Sequence, residues 1–539
     1  MARRHRTLGL IIAPLPLLAA VAIAANATPS SQPRVVVPGS VSPALAHSHR
    51  GDAVGADQQM SVSIPLKLRD AAGLDAFLTQ VNDPKSAQYH HYLTPAQFTE
   101  RFGPSQGDVD KVTDFARSAG LHVDSVSGNR QVVTASGTVG QLEKAFATTL
   151  SGYQDSIGNR SFYANDTAPQ LPVDLAPIVQ GIVGLDNHTV RHRHSVSRPA
   201  AAPAGFGPTQ LRGAYDTGSL GTGAGQSVAL WEFDGYQQAN LSGYAKQFGL
   251  TPSASTTVSV DGANYDASPG EGQGEVELDI EIVQALAPAV TTYVYEAPNS
   301  DQGEIDMANK IATDNKVSVV SISWGACEPD RSPSEMDAVS NGIKQGTAEG
   351  ISFFAASGDD GSKDCARSQT GATVDAVDYP ASDPNVTGVG GTTLKLNGTG
   401  YGSETTWSRG GGGTSTHFAV PGYQAGVNGK RTVPDVASDA DPATGYSIFS
   451  AGAWQVYGGT SCAAPMWAAW AALADAKLGH KLGNANPTLY QVGKGANAAK
   501  AFHDITTGSN GTFRAGAGYD QTTGWGSYDG AGLAAALAG

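Results

Sequence analysis

The chain has 539 residues, more than one compact hydrophobic core usually serves, so two or more domains are expected. Its three cysteines exclude a disulfide-rich scaffold. Charge is unevenly distributed: residues 201–539 carry 34 acidic and 17 basic residues, whereas residues 1–200 carry 15 and 17. The acidic carboxyl-terminal part argues against a nucleic-acid partner.

The first 27 residues are typical of a secretory signal peptide. A basic start precedes an apolar stretch over residues 8–25, and small residues follow at 25–27. The alternative, an uncleaved membrane anchor, is disfavoured because Pro14 and Pro16 interrupt the apolar stretch. Since no later segment is long and apolar enough to span a bilayer, we expect a secreted protein with no membrane partner.

Three segments precede the main domain. Residues 28–54 are polar and contain several Pro and Ser, which predicts a disordered leader. Residues 55–186 alternate strand-like and helix-like patterns, which predicts a compact α+β domain, ferredoxin-like in its order of elements. Residues 187–208 are basic and rich in His, Ala and Pro without apolar periodicity, which predicts an exposed linker that is easily cut.

Three histidines of this linker, His188, His192 and His194, suggest a further hypothesis. Their imidazoles would gain charge below about pH 6.5, and this would change the attraction between the linker and the acidic part of the chain. The simpler interpretation is a solvated linker in which the histidines have no such role.

Residues 209–539 alternate strand-like apolar runs with helical ones and are rich in glycine. This pattern predicts an α/β domain with a mainly parallel sheet. Cys327 and Cys365 each follow a strand-like apolar run, and a secreted chain could join them, although the sequence leaves this open. Cys462 would then be a buried free thiol.

Residues 274–288, GEVELDIEIVQALAP, crowd acidic residues among aliphatic ones. In a strand, all four acids would share one face. In a helix, they would separate into the pairs Glu275/Asp279 and Glu277/Glu281 on different faces. Fourteen residues without a helix breaker favour the helix. Taken alone, the segment is typical of a solvated acidic surface.

Residues 457–476, YGGTSCAAPMWAAWAALADA, predict a glycine turn followed by a helix with Pro465 in its first turn. Ser461 would lie at the helix amino terminus, where free N–H groups and the helix dipole favour developing negative charge. A nucleophilic serine needs such a position, because the tetrahedral intermediate places an oxyanion beside it. The alternative is a serine that only caps the helix.

The string GTSCAAP resembles the nucleophile motif of subtilisin-like serine proteases and of sedolisins, the serine-carboxyl peptidases. A subtilisin needs a histidine base, but the histidines after the linker, at 417, 480 and 503, lack that motif's context. GEVELDIE instead resembles the sedolisin helix in which a Glu and an Asp act beside the serine. The resemblance implies that Glu275 is the general base and that Asp279 orients it. Glu277 and Glu281 would remain solvated acids.

Further motifs resemble sedolisins. FFAASGDDGS (353–362) implies that Asp359, in a protonated form, helps the Ser461 backbone N–H to form the oxyanion hole. SISWG (321–325) implies that Trp324 orients the acids and that its neighbours line the substrate cleft. Glu232 in VALWEFDGY matches an acid that extends the chain of interacting carboxyl groups in some members. The supporting residues implied in this way are Ser323, Trp324, Gly325 and Glu232.

The carboxyl-terminal segment FHDITTGSNGTFRAGAGYDQTTGWG resembles the calcium loop of the family. Calcium prefers oxygen ligands from carboxylates and carbonyls. The resemblance implies one structural calcium ion. Its ligands would be the side chains of Asp504 and Asp520 and the carbonyls of Ile505, Gly516 and Gly518.

Residues 89–112, YHHYLTPAQFTERFGPSQGDVDKV, resemble an activation domain of pro-kumamolisin type. The resemblance as a whole implies a subtilisin-like peptidase domain at 209–539 behind a prodomain that is an intramolecular inhibitor and chaperone. It implies a monomeric, acid-active endopeptidase, working at roughly pH 3–5, that hydrolyses proteins or peptides and processes itself. The alternatives are a tripeptidyl-peptidase of the family, a neutral subtilisin-like enzyme, and an inactive calcium-binding protein.

Overall fold

The computed structural model describes Met1 and residues 33–366, 374–426 and 429–538. The predicted signal peptide therefore lies outside the described residues, apart from Met1. Arg34–Gly539 form one compact unit. Within the described part of the chain, no helix has the length and apolar character needed to cross a membrane.

The amino-terminal domain combines short strands with four helices. The strands are β1 (Arg34–Val36), β2 (Ser48–Ala53), β3 (Gln59–Pro65), β4 (His122–Val126), β5 (Val132–Thr138), β6 (Leu150–Asp155), β7 (Ser161–Asn165) and β8 (Gln170–Pro172). The helices are α1 (Ala71–Val81), α2 (Pro95–Arg101), α3 (Gln106–Ser118) and α4 (Val139–Phe146). Helices α2 and α4 begin with capping boxes, in which Thr94 pairs with Gln97 and Thr138 with Gln141.

This domain has the predicted α+β character, and its strands follow the ferredoxin-like order in part. Strands β3, β5 and β4 form an antiparallel sheet, with β5 in the centre. Strand β6, which would complete a four-stranded ferredoxin-like sheet, instead pairs with β2 and β7. The domain therefore contains two three-stranded sheets in place of one larger sheet.

The prediction of a disordered leader is wrong for residues 34–54. Strand β1 pairs with β8, and β2 pairs with β6, both antiparallel. Backbone pairing with strands more than a hundred residues away orders this polar segment, and local composition cannot reveal such pairing. Residues 28–32 lie outside the described residues.

Two short strands, β9 (His192–Arg193) and β10 (Val196–Pro199), lie in the predicted linker. The peptidase-domain strands are β11 (Ser227–Glu232), β12 (Ser255–Ser259), β13 (Thr291–Glu296), β14 (Val319–Ile322), β15 (Trp324–Cys327), β16 (Ser352–Ala356), β17 (Asp378–Tyr379), β18 (Val386–Asn397), β19 (Gly400–Thr406), β20 (Gly413–Ala419), β21 (Lys430–Val433), β22 (Val436–Asp439), β23 (Tyr446–Ser450), β24 (Ala453–Gly458), β25 (Phe502–His503) and β26 (Ser527–Tyr528). Its helices are α5 (Pro208–Ala214), α6 (Gln238–Phe248), α7 (Gln273–Leu286), α8 (Asp301–Asp314), α9 (Pro333–Ala348), α10 (Thr460–Leu478), α11 (Ala485–Gly493), α12 (Ala498–Ala501) and α13 (Gly530–Leu537).

The centre of this domain is an eight-stranded sheet in the order β12-β13-β11-β14-β16-β18-β19, with β22 also paired to β18. Every pair is parallel except β18 with β19. This confirms the predicted α/β fold with a mainly parallel sheet. Alternate residues of β11 face opposite cores: Val228 and Leu230 pack with α7 and α10, and Ala229 and Trp231 pack with α8 and α9.

The structure joins Cys327 and Cys365, whose Cα atoms are 5.2 Å apart. The sequence left this pairing open. Cys462 is a free, buried thiol, as expected. The disulfide links the end of β15 to the segment that follows Asp359, so it holds together two walls of the cleft described next.

Candidate active site

Helix α7 presents Glu275 and Asp279 on one face, and both side chains are fully buried. The Ser195 hydroxyl donates a hydrogen bond to Glu275 Oε2. The Ser323 hydroxyl lies 2.9 Å from each carboxylate oxygen of Asp279. The four-residue spacing therefore brings two carboxyl groups into one polar cluster with serine hydroxyls.

The other acidic pair of this helix is not solvated, so that expectation is wrong. Glu277 and Glu281 are both 0% exposed. Glu277 Oε1 accepts hydrogen bonds from Gln237 N at 3.0 Å and Asn240 Nδ2 at 2.7 Å. Glu281 Oε2 accepts from Phe449 N at 2.9 Å. Donors from distant parts of the chain, which sequence periodicity cannot identify, make this burial possible.

Gly459, two residues before Ser461, leaves room for two other groups. A Cβ on Gly459 would lie 2.2 Å from the His194 carbonyl oxygen and 2.6 Å from Asp359 Oδ2, and its φ of +119° also favours glycine. Because of this space, the His194 carbonyl reaches the start of α10. Ser461 N donates to that carbonyl at 3.0 Å, and Ser461 Oγ donates to the Ser323 carbonyl at 3.1 Å.

Pro465 lies further into helix α10 than predicted. The helix begins at Thr460, so Pro465 is its sixth residue and not part of the first turn. A proline has no N–H and cannot donate to the carbonyl four residues earlier, which belongs to Ser461. The Ser323 hydroxyl lies 3.2 Å from that carbonyl and can donate to it instead. Pro465 thus leaves the Ser461 carbonyl available to the polar cluster.

Asp359 follows strand β16 and faces the same region as the His194 carbonyl. Its Oδ1 accepts hydrogen bonds from Thr460 N at 2.8 Å and Thr460 Oγ1 at 2.9 Å. Its Oδ2 points toward Gly459. The side chain is 3% exposed. Asp359 Oδ2 and the His194 carbonyl oxygen therefore both lie beside Gly459, at the start of α10.

Burial raises the pKa values of the carboxyl groups in this cluster. Burial raises the pKa of Glu275 to about 7, although hydrogen bonds from Ser195 and Ser461 oppose the rise. Burial and the neighbouring Glu275 raise the pKa of Asp279 well above its usual range. Burial and Asp279 do the same to the pKa of Glu232, although the Trp324 indole N–H donates to Glu232 at 2.7 Å. The cluster is therefore able to hold protons at pH values at which exposed carboxyl groups are ionised.

The predicted linker crosses this site in an extended conformation, so the expectation of an exposed linker is wrong in part: Arg191 and His194 are buried, whereas His192, Arg193 and residues 197–199 are exposed. Strand β9 pairs antiparallel with β15, and β10 pairs antiparallel with β24. Between them, His194 N donates to the Ser323 carbonyl at 3.2 Å. The linker lies in the cleft as a bound peptide would lie.

The linker histidines are not equivalent. His194 Nε2 lies 3.3 Å from Asp378 Oδ2 in a cavity of 530 Å³. Burial alone would lower the pKa of His194, but Asp378, with Asp364 and Asp359 farther away, raises it to about 10. Burial lowers the pKa of His188, which lies 3.3 Å from Asp155, and also that of His192. His194 therefore stays charged at neutral pH, contrary to the hypothesis that it gains charge only in acid.

The histidines after the linker make contacts elsewhere. His417 Nε2 lies 2.8 Å from Asp337 Oδ1. The ring of His503 stacks on Tyr401, with 3.5 Å between the ring centroids. The ring of His480 lies 4.3 Å from that of His90. Each of these three imidazoles thus has its own neighbours. The side chains clustered near Ser461 carry carboxyl and hydroxyl groups.

The predicted calcium ligands lie at residues 504–505 and in the loop of residues 516–520, and hydrogen bonds join these two segments. Asp504 Oδ2 accepts a hydrogen bond from Gly518 N at 3.0 Å, and Asp520 Oδ2 accepts from Gly516 N at 2.9 Å. Ile505 is 1% exposed. In the described part of the chain, no cluster of three His, Cys, Asp or Glu residues is placed to hold a metal ion. The available donors are two carboxylates and backbone carbonyls, which fit a hard cation such as calcium.

Three residues of this cleft were not assigned to it from the sequence: His194, which was expected only in the linker, Ser195 and Asp378. The peptide bond between the first two lies beside Ser461, and Asp378 pairs with the His194 side chain. A weak signal existed for Asp378, because it lies two residues before PASDPNVTGVGGT (380–392), a further segment that resembles sedolisins. The position of the linker had no such signal.

Comparisons with known proteins agree with this architecture. Residues 46–188 match the family described as "Pro-kumamolisin, activation domain", and residues 262–526 match the "Subtilase family". Kumamolisin from Bacillus sp. (strain MN-32) is 34% identical, over 90% of this chain and 92% of that protein. Sedolisin from Pseudomonas sp. (strain 101) is 33% identical, over 89% of this chain and 88% of that protein. The resemblance inferred from the motifs is confirmed.

Two further relatives are informative. Tripeptidyl-peptidase 1 of Mus musculus is 27% identical over 88% of this chain and 90% of its own length. The structure of a Pseudomonas sedolisin, a serine-carboxyl proteinase complexed with two molecules of pseudo-iodotyrostatin, matches with a TM-score of 0.58 and 30% identity. That match covers 62% of this chain and 98% of the other.

Proposed function

The chain belongs to the sedolisin family of serine-carboxyl peptidases, made with an activation prodomain, and on this premise we propose that it is a secreted, acid-active endopeptidase that cuts its own linker. One observation carries the proposal. Ser461 N donates to the His194 carbonyl at 3.0 Å while the Ser195 hydroxyl contacts Glu275. The peptide bond between His194 and Ser195 thus lies where a substrate bond would be attacked.

In the first step, Ser461 Oγ attacks the carbonyl carbon and its proton moves to Glu275. A tetrahedral intermediate forms, with negative charge on the former carbonyl oxygen. The Ser461 backbone N–H and a protonated Asp359 each donate a hydrogen bond to that oxygen. Asp359 must hold its proton to donate, so loss of this proton would weaken catalysis.

In the second step, the carbon–nitrogen bond breaks and Glu275 gives its proton to the leaving amine. The acyl chain remains on Ser461 as an ester. Glu275 then removes a proton from water, the resulting hydroxide attacks the ester, and the returning proton restores the Ser461 hydroxyl. Asp279 orients Glu275 throughout, and Glu232, held by Trp324, extends the carboxyl chain.

The carboxyl groups also support an acid working range. A protonated Asp359 and a shared proton among Glu275, Asp279 and Glu232 are favoured at roughly pH 3–5. Burial raises the pKa of Glu275 to about 7, while the Ser195 hydroxyl and the charges of His194 and Arg193 in the linker lower it. Of the three acids, Glu275 is therefore the one that most readily gives up its proton to become the base, and Asp279 and Glu232 keep the shared proton.

The path of the linker favours an endopeptidase over the tripeptidyl-peptidase alternative. Strand β9 lies on the amino-terminal side of the His194–Ser195 bond, and β10 lies on the carboxyl-terminal side. The bound chain does not end at the third residue before the bond. The fourth residue, Arg191, is also held, by Asn299. A cleft that accepts a continuous chain on both sides suits internal peptide bonds.

Two further parts of the proposal concern calcium and maturation. Asp504, Asp520 and the carbonyls of Ile505, Gly516 and Gly518 would hold one calcium ion, which stabilises the loop and takes no part in the chemistry. The prodomain and linker would block the cleft until the His194–Ser195 bond is cut. We propose that the mature enzyme is a monomer outside the cell.

The experiment is incubation of the purified proprotein at about pH 4, followed by mass and amino-terminal sequencing. Wild type should lose its prodomain and expose Ser195, whereas Ser461→Ala should stay intact. Ser352→Ala is a matched control, because it removes a buried hydroxyl at the opposite end of strand β16 from Asp359. If wild type and Ser461→Ala both remain intact, or both are cut, the proposal is wrong.

A further inference from the structure

Arg191 of the linker is inserted into a buried acidic pocket. It lies three residues before His194, and its side chain is only 1% exposed. Its Nε donates to Glu304 Oε2 at 2.7 Å, and its Nη2 donates to Glu335 Oε1 at 2.8 Å. The same Nη2 lies 2.7 Å from Asp301 Oδ1. One guanidinium group therefore contacts three carboxylates.

The three carboxylates that contact Arg191 belong to the peptidase domain, whereas the buried Asp186 of the prodomain lies near enough for Asp301 to raise its pKa and for Arg191 to lower it. Asp301 and Glu304 lie in the first turn of helix α8. Glu335 lies in the first turn of helix α9, and Arg331 immediately precedes that helix. Release of the prodomain would remove Arg191 and leave these side chains in place.

The backbone of Arg191 is held in register with the rest of the bound peptide. Asn299 Oδ1 accepts from Arg191 N at 2.9 Å, and Asn299 Nδ2 donates to the Arg191 carbonyl at 2.9 Å. This pair of hydrogen bonds comes from the segment after β13 and holds Arg191 next to the linker residues that pair with β15. The pocket therefore receives the side chain of the fourth residue before the scissile bond.

The charges of the pocket require a cation. Burial alone would raise the pKa of Glu304, but the charges of Arg191 and Arg331 outweigh it and hold the pKa at about 2. Burial raises the pKa of Glu335 to about 8, although the charges of Arg331 and Arg191 oppose the rise. Without Arg191, Arg331 would remain in contact with Glu304 and Glu335, and Asp301 would lose its contact with a guanidinium. Uncompensated buried charge is strongly unfavourable, so the empty pocket favours a positively charged occupant.

We propose that Asp301, Glu304 and Glu335 form a substrate subsite that selects arginine at the fourth position before the cleaved bond. The inference rests on the proposed peptidase function and adds a specificity to it. Arginine fits better than lysine, because a planar guanidinium offers several N–H donors at fixed angles, whereas an ammonium is a single point charge. In the proprotein, the linker occupies this subsite with its own Arg191.

The test uses mature enzyme and a set of fluorogenic peptides that differ only at the fourth position. The residues compared are arginine, lysine, norleucine and citrulline, which has the shape of arginine without its charge. We expect kcat/KM for the arginine peptide to exceed that for norleucine by at least about tenfold, the scale of a hydrogen bond to a charged group. Lysine should be intermediate, and citrulline should resemble norleucine.

Two variants link the preference to the pocket. Asp301→Asn should reduce the arginine-to-norleucine ratio at least about threefold, because one of three carboxylates loses its charge. Asp314→Asn is the matched control, since it makes the same change in helix α8 at a residue that pairs with Lys310 and Lys316. It should leave the ratio as in wild type.

The outcomes separate this inference from the function on which it rests. If every peptide is cut at a similar rate, the subsite is wrong while the peptidase stands, and Arg191 is only an anchor of the prodomain. If the ratio is high but Asp301→Asn leaves it unchanged, the assigned pocket is wrong. If no peptide is cut at any pH, the proposed function fails and the subsite fails with it.

Discussion

Helix α7 carries two pairs of carboxyl groups with the same spacing, and the pairs differ in what faces them. Glu275 faces the hydroxyl of Ser195, and Asp279 faces the hydroxyl of Ser323. Glu277 and Glu281 face amide donors such as Asn240 Nδ2 and Phe449 N. Burial is complete for both pairs, so burial alone does not distinguish catalytic from structural carboxyl groups. We propose that the neighbouring Ser461, as the nucleophile, makes the difference.

The largest expected effect separates Glu275 from Glu277. Glu275→Gln should lower kcat/KM by roughly 10²–10⁴-fold, because the amide cannot take the proton of Ser461. Glu277→Gln is the control on the same helix and should retain activity within about threefold, since its amide oxygen can still accept from Asn240. Steady-state kinetics at about pH 4 measure both. Equal losses in the two variants would show that the pairs do not differ as proposed.

A smaller effect is expected from Asp279→Asn, which keeps the size of the side chain. Its proposed role is to orient Glu275, and misplacement of a catalytic group can cost about 10²-fold in rate. We expect kcat to fall by about that factor while KM changes little. A variant with wild-type kcat would contradict the orienting role and leave Glu275 to act without Asp279.

The smallest effect concerns Glu281 and the pH dependence of stability. Burial raises the pKa of Glu281 well above its usual range, so the native state keeps a proton that the unfolded state loses above about pH 4.5. Stability should therefore fall as pH rises from about 5 to 8. Thermal unfolding of the Ser461→Ala proprotein across this pH range measures the fall as a decrease in melting temperature. Adding Glu281→Gln should make that decrease smaller by about 2 °C or more. An unchanged fall would mean that Glu281 is ionised when folded.

Local motifs were sufficient for the fold class and for the residues that surround Ser461. The helical spacing of Glu275 and Asp279, the glycine turn before Ser461, and the turn carrying Asp359 are short patterns, so the sequence contained them in full. Resemblance to sedolisins then identified which of several acids to consider. The structure buries these residues in one region, where Ser461 contacts the His194 carbonyl and Glu275 contacts the Ser195 hydroxyl.

The remaining features depend on contacts between distant segments. Burial of Glu277 requires Asn240, and burial of Glu281 requires the backbone of Phe449, which is more than 160 residues away. The linker looked unstructured because its own sequence has no apolar pattern. Strands β15 and β24 supply its order, and Asp301 with its neighbours supplies the charge that holds Arg191. The sequence of each of these segments does not identify the distant residues that hold it in place.

The pairing of strand β10 with β24 has a kinetic consequence after the chain is cut. Cleavage between His194 and Ser195 would leave two product ends with different attachments. The prodomain end is held by non-covalent contacts, so dilution can remove it. The Ser195 end remains tethered to the peptidase domain through residues 200–207, which keeps its effective concentration at the cleft high, in the millimolar range for a short linker. Substrates entering that half of the cleft must therefore compete with the enzyme's own amino terminus.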